Sequence, residues 1–279
     1  MGKSSARQAL IDKMGVPVTQ ATVTSGSVNT AYLAAGAGTP VVCLHGGGAG
    51  AVTWYPAVAA LAEHFHVVAP DIVGYGESDK PDARYDKAVF SHWLKQFLHA
   101  VGLAKAHVIG LSQGGAVALQ FALDCPEMVD KLVLVDSGGL GAKPPLMSLL
   151  SMLWLNTFPS SLANRVYARY ILFDPACRDP DHARYSLEVL RLAGGKKAFS
   201  QGRGAAVSAF SSAALGSIQH RTLLIWGEDD RLFPVACAAK AAALMPNATL
   251  CRIANAGHLP LMDQPAAFNQ AVMSFLLAR

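Results

Sequence analysis

The stretch HVIGLSQGG, residues 107–115, decides the fold. Its first five residues, His107–Leu111, are apolar enough for a strand that is buried on both faces, and a helical pattern begins at Gln113. Between them stands the pattern G-x-S-x-G, which in a strand-turn-helix context presents the serine at the tip of a sharp turn. Glycines flank Ser112 because larger side chains would clash in so tight a turn. The stretch therefore predicts a nucleophilic serine at the carboxyl end of a buried strand.

Similar strands recur outward from this stretch in both directions. Short runs rich in Val, Ile and Leu alternate with helix-length patterns, which predicts a mostly parallel sheet with helices on both faces. The predicted strands are Val41–Leu44, Val67–Ala69, His107–Leu111, Leu132–Val135, Leu223–Trp226 and Thr249–Ile253, preceded by a hairpin of Thr19–Thr24 and Val28–Ala34. The predicted helices between them are Trp54–Glu63, Asp86–Val101, Gln113–Asp124 and Val235–Leu244.

One segment interrupts the alternation. Between residues 138 and 217 the sequence has helical patterns, at Leu146–Leu155, Leu162–Leu172 and Ala183–Leu192, but no convincing strand. An insert of about 80 residues is too long for a simple connection. We therefore predict a helical cap domain at 138–217, inserted into a core domain formed by 1–137 and 218–279.

A reactive serine needs partners. A general base must take its proton, and a carboxylate must hold that base in the right orientation. Both should lie on loops at the carboxyl ends of strands. Among the nine histidines, His258 fits best because it follows the last predicted strand. Three carboxylates at strand ends compete for the acid role: Asp136, Asp229 and Asp230.

Composition excludes several classes of function. Of the 279 residues, 52% are hydrophobic and 15% are charged, which suits a globular protein with a large core and excludes a disordered chain. The net charge is only +4 and no basic stripe is present, so we expect no nucleic-acid partner. The most apolar stretch, Leu146–Leu155, is too short to span a bilayer, and the first residues lack the apolar region of a secretory signal. We therefore expect a cytoplasmic protein without a membrane partner.

Four further motifs carry a resemblance to a known family. They are HGGG at residues 45–48, DIVGYGESD at 71–79, WGEDD at 226–230 and GH at 257–258. Together with GLSQG at 110–114, in this order and spacing, they resemble the α/β-hydrolases from about Thr39 to the C-terminus. The resemblance implies an α/β fold with a mostly parallel eight-stranded sheet flanked by helices, and a helical cap inserted after the sixth strand.

The resemblance also implies roles for single residues. Asp230 stands three residues after Gly227, as in the family pattern W-G-x-x-D, so Ser112, Asp230 and His258 are the expected catalytic triad. Acyl chemistry further needs donors for the developing oxyanion. The backbone amide of Gln113, the first of its helix, is one candidate, and the resemblance makes the amide of Gly47 the other. No metal-ligand spacing such as H-E-x-x-H occurs, so we expect no metal and no cofactor.

The nucleophile narrows the reaction. Family members with an aspartate nucleophile are excluded by Ser112, which leaves esterases, lactonases and hydrolases that cleave carbon–carbon bonds in 2-hydroxy-6-oxo-dienoates. The sequence resembles the last group at residues 45–51 and 138–141. It departs from that group at three positions: Ala49 replaces a usual proline, Leu111 a frequent asparagine and Leu259 a frequent tryptophan. We therefore expect a serine hydrolase of a carboxylic ester or lactone. Carbon–carbon bond hydrolysis and a hydrolase-like small-molecule receptor are the alternatives.

Arg184 bears on the choice of substrate. It lies about where the carbon–carbon hydrolases place a carboxylate-binding arginine, and a guanidinium there would clamp a carboxylate through two parallel hydrogen bonds. The alternative is an exposed helix arginine. The expected partner of the protein is thus a small-molecule substrate, and homo-oligomerisation is left open.

Overall fold

The computed structural model describes residues 5–278, without the side chains of residues 203 and 205. Its strands are Thr19–Ser25 (β1), Val28–Ala35 (β2), Thr39–Leu44 (β3), Phe65–Pro70 (β4), Ala106–Leu111 (β5), Val129–Val135 (β6), Arg221–Gly227 (β7) and Ala248–Ile253 (β8). They form one sheet in the order β1-β2-β4-β3-β5-β6-β7-β8. The pairs β1–β2 and β2–β4 are antiparallel, and all other neighbours are parallel. The predicted mostly parallel eight-stranded sheet is therefore confirmed.

Helices cover both faces of the sheet. They are Ser5–Asp12 (α1), Tyr55–Ala62 (α2), Lys87–Ala100 (α3), Gln113–Asp124 (α4), Leu146–Thr157 (α5), Ser161–Ile171 (α6), Pro180–Arg191 (α7), Gly195–Val207 (α8), Ser212–Ser217 (α9), Val235–Leu244 (α10), Pro260–Asp263 (α11) and Pro265–Leu277 (α12). Successive residues of a strand point to opposite faces. Val42 and Leu44 accordingly pack with α3, α4 and α10, whereas Val41 and Cys43 pack with α1, α2 and α12. Burial on both faces explains why these strands lack polar alternation.

Several helices were not predicted. The last helix predicted between residues 138 and 217 ends at Leu192, but a further helix, α8, begins at Gly195, and Gly194 caps it with a left-handed backbone (φ 84°). The helix α12 was also not predicted. Two signals for it are present in the sequence: Pro265 stands at its start, and Phe268, Val272 and Leu276 repeat at helical spacing on its buried face. Within residues 5–278, no helix combines the length and the apolar character needed to cross a bilayer.

The helices α5–α9, which we call the cap helices, follow one another between β6 and β7 and lie over the carboxyl ends of the strands. The N-terminal helix α1 fastens them to the core. Arg7 is buried, and its Nη1 donates to Asp71 Oδ2 (2.9 Å) in the core and to the Tyr185 hydroxyl (3.1 Å) on α7. Lys13 pairs with Asp179 and Asp181 at the start of α7, at 2.7 and 2.8 Å. The helix α1 thus links the DIVGYGESD turn to α7, and Tyr75 of that turn also donates directly to the carbonyl of Ala198 on α8 (2.9 Å).

Candidate active site

The register of the central strands brings five loops side by side. Leu44 lies opposite Gly110, Leu111 opposite Val135, and Val135 opposite Ile225. On the next pair, Gly227 lies opposite Ile253. Because the strands are parallel, the loops that follow them meet at one edge of the sheet. These loops carry Gly47, Ser112, Asp136, Asp230 and His258.

Ser112 sits in a strained turn between β5 and α4. Its φ of 52° and ψ of −116° are unusual for a residue with a side chain. The turn is possible because its neighbours are glycines. A Cβ on Gly110 would lie 2.4 Å from the carbonyl oxygen of Gly114, and a Cβ on Gly114 would lie 2.3 Å from that of Leu44. Strain of this kind, held in place by the surrounding chain, typically marks a functional position.

The structure places Ser112, His258 and Asp230 in one hydrogen-bonded row. His258 Nε2 lies 2.8 Å from Ser112 Oγ, and His258 Nδ1 lies 2.8 Å from Asp230 Oδ2. The other oxygen of Asp230 accepts hydrogen bonds from the amides of Leu232 (2.7 Å) and Phe233 (2.9 Å). Both Asp230 and His258 are buried. With Asp230 accepting from Nδ1–H, the lone pair of Nε2 faces the serine hydroxyl, as a general base requires.

A second carboxylate, Asp263, holds the loop that carries His258. Its Oδ2 accepts from the amide of Gly257 (2.8 Å) and from the amide of Phe173 (3.0 Å), the latter just after α6. The edge of the Phe233 ring packs against the imidazole with the ring centroids 5.0 Å apart. Sequence analysis did not identify Asp263, because an acidic residue in a short helix after the histidine has no distinctive spacing.

The three carboxylates proposed for the acid role have different positions. Asp229 is exposed, whereas Asp136 and Asp230 are both buried next to His258. Asp136 has a strained φ of 40°, and its Oδ1 accepts from the amide of Gly227 (3.1 Å). Burial raises the pKa of Asp136 well above its usual range, and the neighbouring charge of Asp230 raises it further. Both effects disfavour the ionised form of Asp136, and in its protonated form Asp136 can donate a hydrogen bond to Asp230.

The same three side chains are the candidates for a metal site. Asp136, Asp230 and His258 each bring one potential ligand atom within 4.8 Å of the others. The facing atoms of Asp230 and His258 already form a hydrogen bond with each other, and the raised pKa of Asp136 disfavours the carboxylate form that a metal ligand requires. The chemistry of this donor set fits a proton-holding cluster, and we assign no metal to it.

The HGGG loop lies directly over Ser112. A Cβ on Gly46 would approach the Cβ of Ser112 to 3.3 Å, and a Cβ on Gly47 would lie 2.5 Å from Gln113 Oε1. The side chain of His45 holds the loop through two hydrogen bonds. Its Nε2 accepts from the amide of Ile72 (2.9 Å), so Nδ1 carries the proton and donates to the carbonyl of Gly46 (2.7 Å). Within residues 5–278, the amides of Gly47 and Gln113 have no backbone or side-chain acceptor. Both are available to an oxyanion formed at Ser112.

A cavity extends from Ser112 and His258 into the cap helices. Much of its wall is apolar, including Leu111, Leu155, Ile171, Leu190, Phe199 and Leu259. Polar groups come from α6, α7 and the turn between them: Asn164, Arg178, His182 and Ser186. Arg178 donates through Nε and Nη2 to Asn164 Oδ1, at 3.2 and 2.7 Å. Burial lowers the pKa of His182 to about 4, so its imidazole is neutral at pH 7.

A second lobe of the cavity lies on the other side of Ser112. Pro144, Met152, Val207, Leu232 and Phe233 line it, and the residues shared with the first lobe are Gly47, Ser112, Tyr167 and Phe199. The nucleophile thus lines two spaces, one whose cap residues are apolar except for Tyr167 and one with several polar groups. This arrangement can hold the two halves of a substrate on either side of the bond that is broken.

The structure does not bring Arg184 to the cavity. Its side chain is 57% exposed and pairs with Asp181 at 3.7 Å. The cavity face of α7 is formed by His182, Ala183, Ser186 and Leu190, at the spacing of one helical stripe, and position 184 lies outside that stripe. The prediction that Arg184 binds substrate therefore finds no support, and Arg178 is the arginine that lines the cavity. Helical spacing from Ala183, once that residue was known to face inward, would have identified Ser186, and Ser186 in turn His182 four residues earlier.

Comparisons with known proteins identify the family of this fold. A family model described as alpha/beta hydrolase fold matches residues 39–265. A 2-hydroxy-6-oxo-6-phenylhexa-2,4-dienoate hydrolase of Burkholderia cepacia is 32% identical over 267 residues, covering 87% of this chain and 89% of that protein. The crystal structure of the carboxylesterase CesB of Bacillus subtilis has a TM-score of 0.89 at 26% identity, covering 98% of this chain and 96% of that one. A meta-cleavage product hydrolase of Pseudomonas fluorescens has a TM-score of 0.82 at 26% identity, covering 92% and 97%.

Proposed function

The chain belongs to the α/β-hydrolase fold family and is an enzyme of that family, and on this premise we propose that it is a serine hydrolase that cleaves a carboxylic ester or lactone. The observation that supports this most directly is the row Ser112–His258–Asp230, with both hydrogen bonds at 2.8 Å. Neither a metal nor a cofactor takes part in the proposed reaction.

The proposed mechanism has two steps. His258 Nε2 takes the proton of Ser112 as its oxygen attacks the substrate carbonyl, while Asp230 holds Nδ1–H and stabilises the imidazolium. The oxyanion accepts hydrogen bonds from the amides of Gly47 and Gln113. The leaving alkoxide then receives the proton from His258 and departs. In the second step, water attacks the acyl-enzyme with His258 again as the base, which releases the acid and restores Ser112.

The wall beside the nucleophile favours an ester over a dienoate. Leu111 and Leu259 line the cavity next to Ser112 and His258, where polar side chains would assist the enol of a 2-hydroxy-6-oxo-dienoate. An apolar wall suits the acyl chain or alcohol of an ester, which requires only the oxyanion donors and the base. The carboxylesterase CesB, among the structures compared, has the same fold over nearly the whole chain.

Carbon–carbon bond hydrolysis is the second candidate, and one observation favours it. Arg178 faces the cavity with a guanidinium that is only partly used by Asn164, so it can bind a substrate carboxylate. The Burkholderia cepacia relative is named for a substrate that carries such a carboxylate. In this version of the reaction, the same serine and histidine act on the ketone at C6.

The first experiment compares kcat/KM for an aryl butyrate ester with that for a 2-hydroxy-6-oxo-dienoate in the same buffer. We expect the ester to be preferred and to turn over many times per enzyme molecule. A preference of several hundredfold for the dienoate would replace the ester proposal with carbon–carbon cleavage. A single slow turnover with a stable adduct would indicate a receptor.

The variant Ser112→Ala tests the nucleophile itself. Removal of such a nucleophile costs several powers of ten in kcat, because the remaining donors and binding contacts accelerate the reaction only modestly. The circular dichroism spectrum should be unchanged, since Ser112 is a small side chain at the edge of the cavity. Ester turnover within tenfold of the wild-type rate would contradict the mechanism.

A further inference from the structure

The cap helices present an unusual apolar surface to solvent. In the described part of the chain, eleven large hydrophobic side chains are exposed, and eight of these belong to the cap helices or the turns beside them. Leu146 and Phe158 are each 69% exposed, and a group of neighbouring exposed apolar side chains typically marks an interaction site. The eight are Leu146, Met147, Leu150, Leu153, Trp154, Phe158, Leu162 and Leu192.

Most of them lie on one side of α5. At 100° per residue, the exposed positions from Leu146 to Trp154 fall within one face of the helix. Phe158 at the end of α5 and Leu162 at the start of α6 extend the apolar surface. The opposite side of α5 packs inward through Met152 and Leu155, and Leu155 also lines the cavity. We call the exposed side the α5 face. No charged residue occurs between Lys143 and Arg165, so the α5 face itself is uncharged.

Positive charge surrounds this face. Residues 138–217 contain nine Lys and Arg against four Asp and Glu, whereas the rest of the chain contains 14 against 15. Of the four acids, Asp179 and Asp181 already pair with Lys13. Lys143 and Arg165 are exposed and bracket the α5 face, and Arg191 and Lys196 reach its C-terminal end, where they donate to the carbonyls of Pro159 and Thr157 at 2.9 Å. The net positive charge of the protein thus belongs to its cap.

We propose that the α5 face docks onto an anionic lipid surface, with its apolar side chains inserted among the lipids and the surrounding cations against their headgroups. An apolar helix face bordered by Lys and Arg is the composition of helices that lie in the plane of a membrane interface. A second copy of this chain is a poorer occupant, because it would bring the same cations face to face. The sequence expectation of no membrane partner rested on the lack of a spanning segment, which this mode of binding does not need.

Docking would also bring the cavity close to the lipid. The α5 face and the cavity are separated by the thickness of one helix, since Leu153 is exposed and Leu155 lines the cavity. The proposal does not depend on which carbonyl compound is cleaved. The docking proposal concerns the location at which the enzyme works. It would be wrong without affecting the proposed hydrolysis if the protein cleaves esters but does not bind vesicles.

Trp154 supplies a direct measurement. Of the four tryptophans, Trp54, Trp93 and Trp226 are buried, whereas Trp154 is 39% exposed on the α5 face. Addition of vesicles of phosphatidylcholine with about 30% phosphatidylglycerol should shift the fluorescence emission to shorter wavelength as Trp154 enters the interface. Vesicles of phosphatidylcholine alone should shift it much less. Raising NaCl from about 0.1 M to about 0.5 M should weaken binding several-fold, because salt screens the cations.

Paired variants test the two components of the surface. The double variant Leu150→Gln with Leu153→Gln should weaken vesicle co-sedimentation at least tenfold, and Leu244→Gln, a similarly exposed leucine on α10, is its control. The double variant Lys143→Glu with Arg165→Glu should abolish the preference for anionic vesicles, with Lys240→Glu on α10 as its control. Hydrolysis of a water-soluble ester should be unchanged in all four variants, because none of these side chains lines the cavity.

Two results would overturn the proposal. One is equal binding to neutral and anionic vesicles, or to neither, with no change in Trp154 fluorescence. The other is a dimer of the wild-type protein, detected by light scattering, that becomes a monomer in the double variant Leu150→Gln with Leu153→Gln. This result would identify the α5 face as a contact between two copies of the chain.

Discussion

The cavity has two walls that are built differently. The core wall consists of loops after parallel strands, and hydrogen bonds fix its acid and its base: Asp230 accepts from the amides of Leu232 and Phe233, and Asp263 holds the loop that carries His258. The cap wall consists of helices that contribute mostly apolar side chains, with few polar groups. Arg178 is held there by a single partner, Asn164. The difference indicates that the core wall determines which bond reacts, and the cap wall determines which molecule is accepted.

The variant Asp230→Asn should have the largest effect among tests of this comparison. It preserves the shape of the core wall but removes the charge that holds His258 in the reactive tautomer, so kcat should fall by about 10³–10⁴-fold. Steady-state kinetics with an aryl ester measures this loss, and KM should change little.

A loss of less than tenfold would mean that the neighbouring Asp136 takes over the acid role. The double variant Asp136→Asn with Asp230→Asn separates this case from a wrong assignment of the triad. If Asp136 is the substitute, only the double variant loses the activity.

The second prediction concerns Asp136 and compares two substitutions. Both Asn and Gly tolerate the φ of 40°, but only Asn retains a donor toward Asp230. Asp136→Asn should therefore keep kcat within about threefold, whereas Asp136→Gly should lose about 10- to 100-fold, the value of one hydrogen bond to a charged group. The acid limb of the pH–kcat/KM profile should shift only in Asp136→Gly. Equal losses in both variants would show that Asp136 acts as a charge and not as a donor.

The third prediction tests the cap wall by comparing two arginines. Arg178→Gln should raise KM about tenfold for an aryl ester of a dicarboxylic acid, because a charge-assisted hydrogen bond is lost, and should leave KM for an aryl butyrate unchanged. Arg184→Gln, on the exposed side of α7, is the matched control and should change neither KM by more than twofold. A selective effect in Arg184→Gln instead would restore the carboxylate role predicted from sequence.

The smallest expected effect is on stability and depends on pH. Burial and the charge of Asp230 raise the pKa of Asp136 above its value in the unfolded chain, so the folded protein binds more protons there than the unfolded one. This contribution to the free energy of unfolding is greatest at low pH and is lost as pH rises. Asp136→Asn removes the dependence, so its Tm should exceed that of the wild type at pH 8 by about 2 °C or more, and by less at pH 5.

Differential scanning calorimetry at the two pH values measures both proteins under matched conditions. The difference between the two proteins is the informative quantity, since buried histidines such as His45 and His182 titrate equally in both. A Tm advantage that grows toward low pH would mean that Asp136 is ionised in the folded state.

Much of the core wall was predictable from sequence. Turn residues and strand ends are local features, so His107–Leu111 followed by a glycine-flanked serine predicts both the strand β5 and the position of Ser112. The order of motifs along the chain then selects His258, and the structure brings it to Ser112. The choice among Asp136, Asp229 and Asp230 was not local, because it depends on which strand ends meet.

The cap wall was far less predictable. Helical patterns such as Leu146–Leu155 predict that a helix forms, but an apolar helix in a cap has two apolar sides, and sequence does not say which one packs inward. For the same reason, Arg178 and Arg184 are equivalent in sequence, although one lines the cavity and the other is exposed. No helix was predicted after Leu192 because two adjacent glycines are typical of a turn, whereas Gly194 here caps α8.

The helix α1 has a consequence for how the molecule assembles. Arg7 is separated in sequence from its partners Asp71 and Tyr185 by 64 and 178 residues. Its two hydrogen bonds therefore cannot form until both the core turn and α7 are in place. Contacts between such distant parts of a chain form late in folding. Without Arg7, the buried Asp71 would lose its ion pair and keep only the amides of Ala51 and Glu77 as donors. We therefore expect α1 to be the last element to dock and its release to be the first step by which the cap helices come free of the core.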